Sequence, residues 1–463
     1  MQISRTLLSS AVIAALGGLL FGFDTVVISG AEQHIQKIFS PAAGLSSSWV
    51  RFWHGFLMAS ALIGTVIGSL AVGKPADRFG RRYLMFWLAL LFFVSAVGSA
   101  FAWDWYSLVG FRFVGGLAIG AASVVSPMYI TEISPAKWRG GLVALAQLNI
   151  VTGILMAYIS NYAISALQLG DLEWRWMFGV EAFPAVAYFL LLFLTPRSPR
   201  WLVAQGRYDE AHAVLTSVGV DKVTESVDDE LAEIRRSIDL DHHSLHEPLF
   251  QRKYLKPILL AFTIAAFNQL SGINTVLYYS KRIFESAGFD KSAGLLNSVG
   301  LGVVLLVFTV VALVSIDRYG RKKLMIIGSV GYILSLGATA WAFYSQQTAD
   351  GGFTALGGKV VLLSLLSFIA SHAVGQGAII WVFIGEIFPN RLRARGIAFG
   401  CFVHWVFAAV ISQTFPLIAE TSGAHAFAFY AICMVGQLIW VLTRMPETKG
   451  IPLEEIQQRL GIE

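Results

Sequence analysis

Charged residues are scarce in this sequence. Asp, Glu, Lys and Arg make up 14% of the 463 residues, against about 25% in a soluble domain. Apolar residues account for 56%, so a water-soluble fold would precipitate and most of the surface must face lipid. Cysteine is rarer still. Cys401 and Cys433 both lie in apolar stretches, which excludes a disulfide framework and a cysteine zinc site. His54, His372 and His404 fall in separate apolar segments and make no metal-ligand spacing. No nucleophile elbow and no phosphate-binding loop occurs. An enzyme is therefore not expected, and neither is a metal or an organic cofactor. The net charge of +5 sits in short loops between apolar runs, a pattern of membrane orientation rather than of nucleic-acid binding.

What is abundant is long apolar sequence. Runs near 9–31, 51–73, 83–103, 106–127, 140–165 and 175–195, then 257–280, 293–315, 324–345, 357–385, 395–418 and 424–443, each approach the ~20 residues a spanning helix needs. Lipid leaves backbone groups no partner outside the segment, so these runs are read as helices. Arg5 before the first run resembles the start of a signal peptide. The run holds Asp24 and lacks a small-residue cleavage site, so it is read as a retained first helix. The fold class is thus all-α, twelve transmembrane helices in two six-helix halves: 1–195 and 257–443, with a linker over 196–256 and a tail over 444–463. The linker carries Glu225, Asp228, Asp229, Glu230, Glu233, Arg235 and Arg236 and is expected to form short amphipathic helices at the membrane surface.

Orientation follows from the loops. Lys74, Arg78, Arg81 and Arg82 follow the second run. Lys137 and Arg139 follow the fourth, Arg318, Arg321, Lys322 and Lys323 the eighth, and Arg391, Arg393 and Arg395 the tenth. The alternate loops are poorer in Lys and Arg, with the stretch holding Lys281, Arg282 and Lys291 as the exception. The excess places the even-to-odd loops and both termini in the cytoplasm. The halves also repeat. Asp77-Arg78-Phe79-Gly80-Arg81-Arg82 follows the second run and Asp317-Arg318-Tyr319-Gly320-Arg321-Lys322 the eighth. Glu132-Ile133-Ser134-Pro135 and Glu386-Ile387-Phe388-Pro389 follow the fourth and tenth, each leading to an Arg-Gly pair, Arg139-Gly140 and Arg395-Gly396. Duplicated halves with a site between them at mid-membrane are a transporter arrangement.

These motifs carry a specific resemblance. Together with Gly17–Gly30, Ser198-Pro199-Arg200-Trp201-Leu202, Asn268–Tyr279 and Pro446-Glu447-Thr448-Lys449-Gly450, in this order and over nearly the whole chain, they resemble the sugar porters of the major facilitator superfamily. That group includes bacterial sugar–proton symporters and facilitative glucose transporters. One Asp-Arg-x-Gly-Arg loop would indicate only the superfamily. The resemblance implies the major facilitator fold, a monosaccharide substrate, a lipid bilayer and no nucleic acid as partners, and a chain acting as a monomer.

Amides offer both donor and acceptor, as a sugar hydroxyl does. Gln269 and Asn274 are five residues apart, some 140° around an ideal helix, so they can share a ligand only if the helix breaks or tilts, which Gly272 permits. By resemblance, Gln147, Gln269 and Asn274 bind sugar hydroxyls, Asn268 stands in a position where the family has Gln, and Trp381 stacks on the pyranose face. Trp405 is also family-like, and His404 stands where relatives carry an amide and adds a possible pH response. The plain alternative for these residues is interhelical packing. Ile154 matches the glucose transporters rather than the xylose-type symporter and leans toward a hexose. Three departures stand out: glycines replace the usual prolines at Gly375-Gln376-Gly377, Leu305 replaces a sugar-contacting Asn, and Arg197 replaces the family Glu.

Ionisable groups inside a span are functional suspects by default. Asp24, Arg112 and Glu181 are three such groups. An Asp that switches between a protonated form and a pair with Arg makes a proton coupler; by resemblance this is the symporter arrangement, with protons as coupling ion. A static pair joining the first and fourth helices is the alternative. Asp77, Arg78, Arg82, Glu132, Arg139, Asp317, Arg321, Glu386 and Arg395 resemble the family's cytoplasmic salt-bridge gate, which locks the halves together when the site faces outward. The expected function is proton-coupled sugar symport by alternating access. A passive uniporter of the same fold and a non-transporting sugar sensor are the rivals; Asp24 and Glu181 argue against the first and the short tail against the second.

Overall fold

A backbone in lipid must close its hydrogen bonds within the segment that carries it. The computed structural model is helical accordingly. It describes residues 3–39, 46–219, 226–244, 248–347, 353–389, 392–419, 423–451 and 453–462; Glu225 and Arg391 lie outside these. Among the described residues, twelve segments are long and apolar enough to cross a bilayer.

In the first half these are α1 (Arg5–Ile38), α2 (Ser47–Ala71), α4 (Arg81–Ala100), α5 (Trp105–Ile133), α6 (Ala136–Ala166), and a sixth crossing made of α7 (Glu173–Gly179) and α8 (Ala182–Leu191). The short α3 (Gly73–Phe79) precedes α4. Three helices follow in the linker, α9 (Pro199–Ala204), α10 (Tyr208–Val218) and α11 (Val227–Ser244). The second half opens with a broken crossing, α12 (Leu255–Leu270), α13 (Ile273–Tyr278) and α14 (Ser280–Ser286). It continues through α15 (Lys291–Tyr319), α16 (Arg321–Ser345), α17 (Ala355–His372), α18 (Ala378–Ile387), α19 (Arg393–Ala419) and α20 (Gly423–Thr443), and α21 (Leu453–Leu460) lies in the tail.

The expected runs fall on these helices, with 83–103 and 175–195 overrunning the ends of α4 and α8 by a few residues. The largest difference is at α1, which continues past residue 31 to Ile38. Its last turns hold Glu32, Gln33 and Gln36, polar residues that a hydropathy reading trims off but that bond to the other half of the protein. The linker helices are amphipathic as expected, with Leu202, Val203 and Ala211 buried against Trp201, Val214 and Leu231.

Small residues let the helices approach closely where lipid supplies no hydrophobic drive between them. At the α2–α5 crossing, a Cβ on Gly116 would fall 1.9 Å from the Ala61 carbonyl oxygen, and one on Gly120 2.1 Å from that of Thr65. A glycine contact also explains how the tenth crossing bends without proline. A π-helical turn over Ala373–Gly377 joins α17 to α18, with Gly375 at φ −89°, ψ −105°. There Gly375 meets Gly328 of α16 so closely that a Cβ on either would lie 2.9–3.0 Å from the other's Cα.

Apolar packing divides into three main clusters. One contains residues of both halves, such as Val26, Met58 and Tyr158 with Tyr278, Leu305 and Trp405. The second is built from the first half and linker, including Leu7, Phe92, Tyr129 and Leu215. The third comes from the second half and its flanks, including Ile264, Phe383 and Ile456. The halves thus share a core at one end of the bundle, and keep separate cores at the end that carries the linker and the tail.

Candidate functional site

Gly272 breaks the seventh crossing. It sits at φ +81°, a conformation glycine adopts without penalty, and a Cβ there would lie 2.6 Å from the Tyr430 ring. The break removes the angular separation between Gln269 and Asn274: Asn274 Nδ2 donates to Gln269 Oε1 at 3.0 Å. Gln269 Nε2 in turn donates to Asn268 Oδ1 at 3.0 Å and lies 3.1 Å from His404 Nε2. The His404 ring stands 5.2 Å from that of Trp381 and 4.7 Å from that of Trp405. Six of the seven residues expected to contact sugar therefore form one connected cluster in the second half. Gln147, on α6, is half-buried and makes no hydrogen bond to another described residue.

Two amides extend the network. Asn268 Nδ2 lies 3.4 Å from Gln376 Oε1, Gln376 Nε2 donates to Gln437 Oε1 at 2.8 Å, and Gln437 Nε2 donates to Ser329 Oγ at 2.8 Å. Both glutamines are fully buried. Gln376 sits in the π turn, and Gln437 is a lone amide in an apolar helix. The rule that polar groups inside a span are suspects would have found both.

Trp405 also leans on α1, its ring 5.7 Å from Phe21, one turn before Asp24. Asp24 and Arg112 are both buried. Arg112 Nη1 donates to Asp24 Oδ1, and both Nη atoms lie 3.2 Å from the Asp24 carbonyl oxygen. Gly115 makes room for the carboxylate, since a Cβ there would fall 2.4 Å from Asp24 Oδ2. Among the described residues that oxygen has no hydrogen-bond partner, nor has Glu181 Oε1. Glu181 stands at the junction of α7 and α8, fully buried, and feels the charges of both Asp24 and Arg112. Two acids face one guanidinium, so the group balances electrically when the acids share one proton, and burial makes imbalance costly. Tyr278, at the end of α13, also feels both Asp24 and Arg112. The six-residue α13 thus carries Asn274 of the amide cluster near one end and, at the other, Tyr278 within electrostatic range of the ion pair.

Polar bonds between the halves gather at the shared-core end. Arg282 pairs with Glu32 at 2.6 Å and bonds to Gln36, and Glu32 also holds His54 Nε2 at 2.7 Å. Gln33 donates to Glu285 at 2.6 Å, Lys291 to Glu173 at 2.8 Å, and Tyr158 Oη to the Leu277 carbonyl at 2.8 Å.

At the opposite end Arg81 and Arg321 hold their acids inside their own halves. Arg81 pairs with Glu132 at 2.9 Å and with Asp77 at 3.2 Å; Arg321 pairs with Glu386 at 2.7 Å and with Asp317 at 3.1 Å. Arg82, expected in the gate, instead donates to the carbonyls of Leu192 and Phe193 at 3.3 and 3.1 Å. Arg81 takes the acid-pairing role, and the internal repeat signals it, since Arg81 corresponds to Arg321. Arg78 lies over the Phe79 ring, and Arg139 acts on Glu230 of α11. Arg395 lies in the first turn of α19. Separate cores at this end explain why the acid–base pairs seen here stay within each half.

Two six-crossing halves, sharing one apolar core at one end and keeping separate cores at the other, around buried polar groups, define a multi-pass membrane transporter of the major facilitator type. Residues 10–460 match the family described as "Sugar (and other) transporter", and the chain belongs to that family. It is 36% identical over 458 residues to a protein named "Glucose transport protein" from Synechocystis, covering 96% of this chain and 95% of the relative. It is 35% identical over 484 residues to the D-xylose-proton symporter of Escherichia coli, covering 98% and 96%. Its fold superposes with a TM-score of 0.84 on a partially occluded inward-open structure of the xylose transporter XylE from E. coli, 34% identical, covering 97% of this chain and 100% of that one.

Proposed function

We propose that this protein carries a monosaccharide, a hexose or pentose, by proton symport through alternating access. The observation that carries the reading is the buried triad of Asp24, Arg112 and Glu181, with α13 running from the amide cluster to within electrostatic range of it. Gln269, Asn274 and Asn268 take sugar hydroxyls, with Trp381 and Trp405 as apolar walls and His404 between them. Gln147 contributes from the other half when sugar draws α6 toward the cluster. A proton on the acids frees Arg112 from one carboxylate and lets Tyr278, and with it α13, shift. The broken helix then reports the proton to the sugar site. The abundance of Lys and Arg near the parted end supports a cytoplasmic location for that end and both termini, so the arrangement described here faces inward. The gate residues engage across the halves once the carrier turns outward.

The test is uptake of labelled monosaccharides into proteoliposomes with and without an inward proton gradient. The wild type should concentrate sugar only with the gradient. Asp24→Asn should retain exchange of internal for external sugar and lose accumulation. An Asp24→Asn protein that still concentrates sugar would overturn the coupling role, and a wild type indifferent to the gradient would make the protein a passive uniporter.

A further inference from the structure

The two halves repeat one construction at the parted end, with one exchange of charge. In the second half, Thr448 Oγ1 donates to Glu386 at 2.6 Å, and the residue before it, Glu447, accepts the backbone N–H groups of Arg321 and Lys322, at 3.0 Å each, and of Thr448 and Lys449. A carboxylate of the chain itself thus caps the first turn of α16. In the first half, Ser198 Oγ donates to Glu132 at 2.5 Å in the same way. The turn before the helix is also the same, Gly80 at φ +88° and Gly320 at φ +87°. The residue before Ser198, however, is Arg197, and among the described residues no side chain accepts the backbone N–H groups of Arg81 or Arg82 as Glu447 accepts those of Arg321 and Lys322.

What stands there is a cavity of about 140 Å³ lined by Gly80, Arg81, Arg82, Arg197, Ser198 and Trp201. A water molecule takes about 30 Å³ of liquid, so there is room for an anion several atoms in size. Charge favours one. Arg81 is answered by Glu132 and Asp77. Among the described residues Arg82 meets only carbonyl oxygens in its hydrogen bonds, and Arg197, half-exposed, reaches an acid, Glu210, only at 3.8 Å. Arg82 and Arg197 also act on each other as like charges. The aromatic residues beside the opening, Phe79 and Tyr83, are half-exposed.

We propose that this cavity binds a phosphate group, which replaces the missing carboxylate and clips the start of α4 to the linker as Glu447 clips α16 to the tail. Guanidinium groups and the N–H groups of a helix start suit phosphate. The group can belong to an anionic lipid, for which the exposed aromatic rim is suited, or to a soluble phosphate.

The experiment measures thermal unfolding of the purified full chain in neutral detergent, titrated separately with phosphatidylglycerol and with inorganic phosphate at constant ionic strength. The wild type should show a saturable rise in Tm. A rise with both probes, or with inorganic phosphate alone, identifies a soluble-anion site; a rise with the lipid alone identifies a headgroup site. Arg197→Glu, which restores the arrangement of the other half, should melt higher than wild type without ligand and lose the response. Arg197→Ala should melt no higher than wild type and bind at least tenfold more weakly. Lys359→Glu, the same charge change on an exposed residue outside the cavity, should respond like wild type. No saturable rise with either probe overturns the proposal, as does an unaltered response in Arg197→Glu or an equal loss in Lys359→Glu.

Discussion

Arg282→Ala should release the closed end of the bundle. Arg282 bonds to Glu32 through Nη2 at 2.6 Å and Nε at 3.2 Å, with 24% of the arginine side chain exposed and 1% of the glutamate. The substitution leaves a buried carboxylate with His54 as its remaining partner. When the ends part, water reaches Glu32 and replaces what was lost, so the penalty falls on the closed arrangement. Hydrogen bonds to charged groups contribute about 1.5–3 kcal/mol each. Allowing for the exposed part of Arg282, about 2–3 kcal/mol should be lost, a shift of roughly 30- to 150-fold toward the parted state. Spin-label distances would report it in a background with both cysteines replaced by serine. One label pair, on positions 48 and 292, spans the closed end, and another, on 74 and 323, spans the parted end. The first distance should lengthen and the second shorten. Adding Glu32→Gln should reverse part of the shift, because an amide tolerates burial better than an orphaned carboxylate. Unchanged distance distributions in Arg282→Ala would refute the reasoning.

Two further outcomes can be checked on purified protein. Burial alone would raise the Glu447 carboxyl, but the backbone N–H groups of Lys449, Arg321, Lys322 and Thr448 outweigh it and hold the group below its ordinary range. Its folded value lies under the unfolded one, so its stabilisation is complete above about pH 4.3 and fades as pH falls through the lower folded value. Tm should drop along that acid limb in wild type, and Glu447→Gln should melt lower at neutral pH with a flatter limb. Gln376→Ala leaves Asn268 and Gln437 short of partners at about 1–3 kcal/mol. It should weaken monosaccharide binding measured by calorimetry while leaving the proton dependence of exchange intact.

Much of the fold was legible because lipid enforces a simple rule: a long apolar run becomes a helix. The break at Gly272 was legible too, since Gln269 and Asn274 cannot share a ligand on a straight helix. Polar helix ends were less visible. Glu32, Gln33 and Gln36 read as loop until their partners on the other half are seen. Which end of the bundle closes depends on contacts such as Arg282 with Glu32, 250 residues apart, and no local pattern encodes that. The Arg81 pairing could have been read from the repeat, whereas the bond from Gln376 to Gln437 required knowing how α20 packs.

The bend in the tenth crossing differs in kind from one made by proline. A pyrrolidine ring is covalent and would persist in every state of a transport cycle. The bend here depends on two glycine backbones touching, Gly375 against Gly328. A glycine bend leaves the backbone free to straighten, so if α16 were to slide off the π turn, α18 and the indole of Trp381 could move with it. A joint of this type stores no permanent angle; its setting is decided afresh by each neighbour that leans on it.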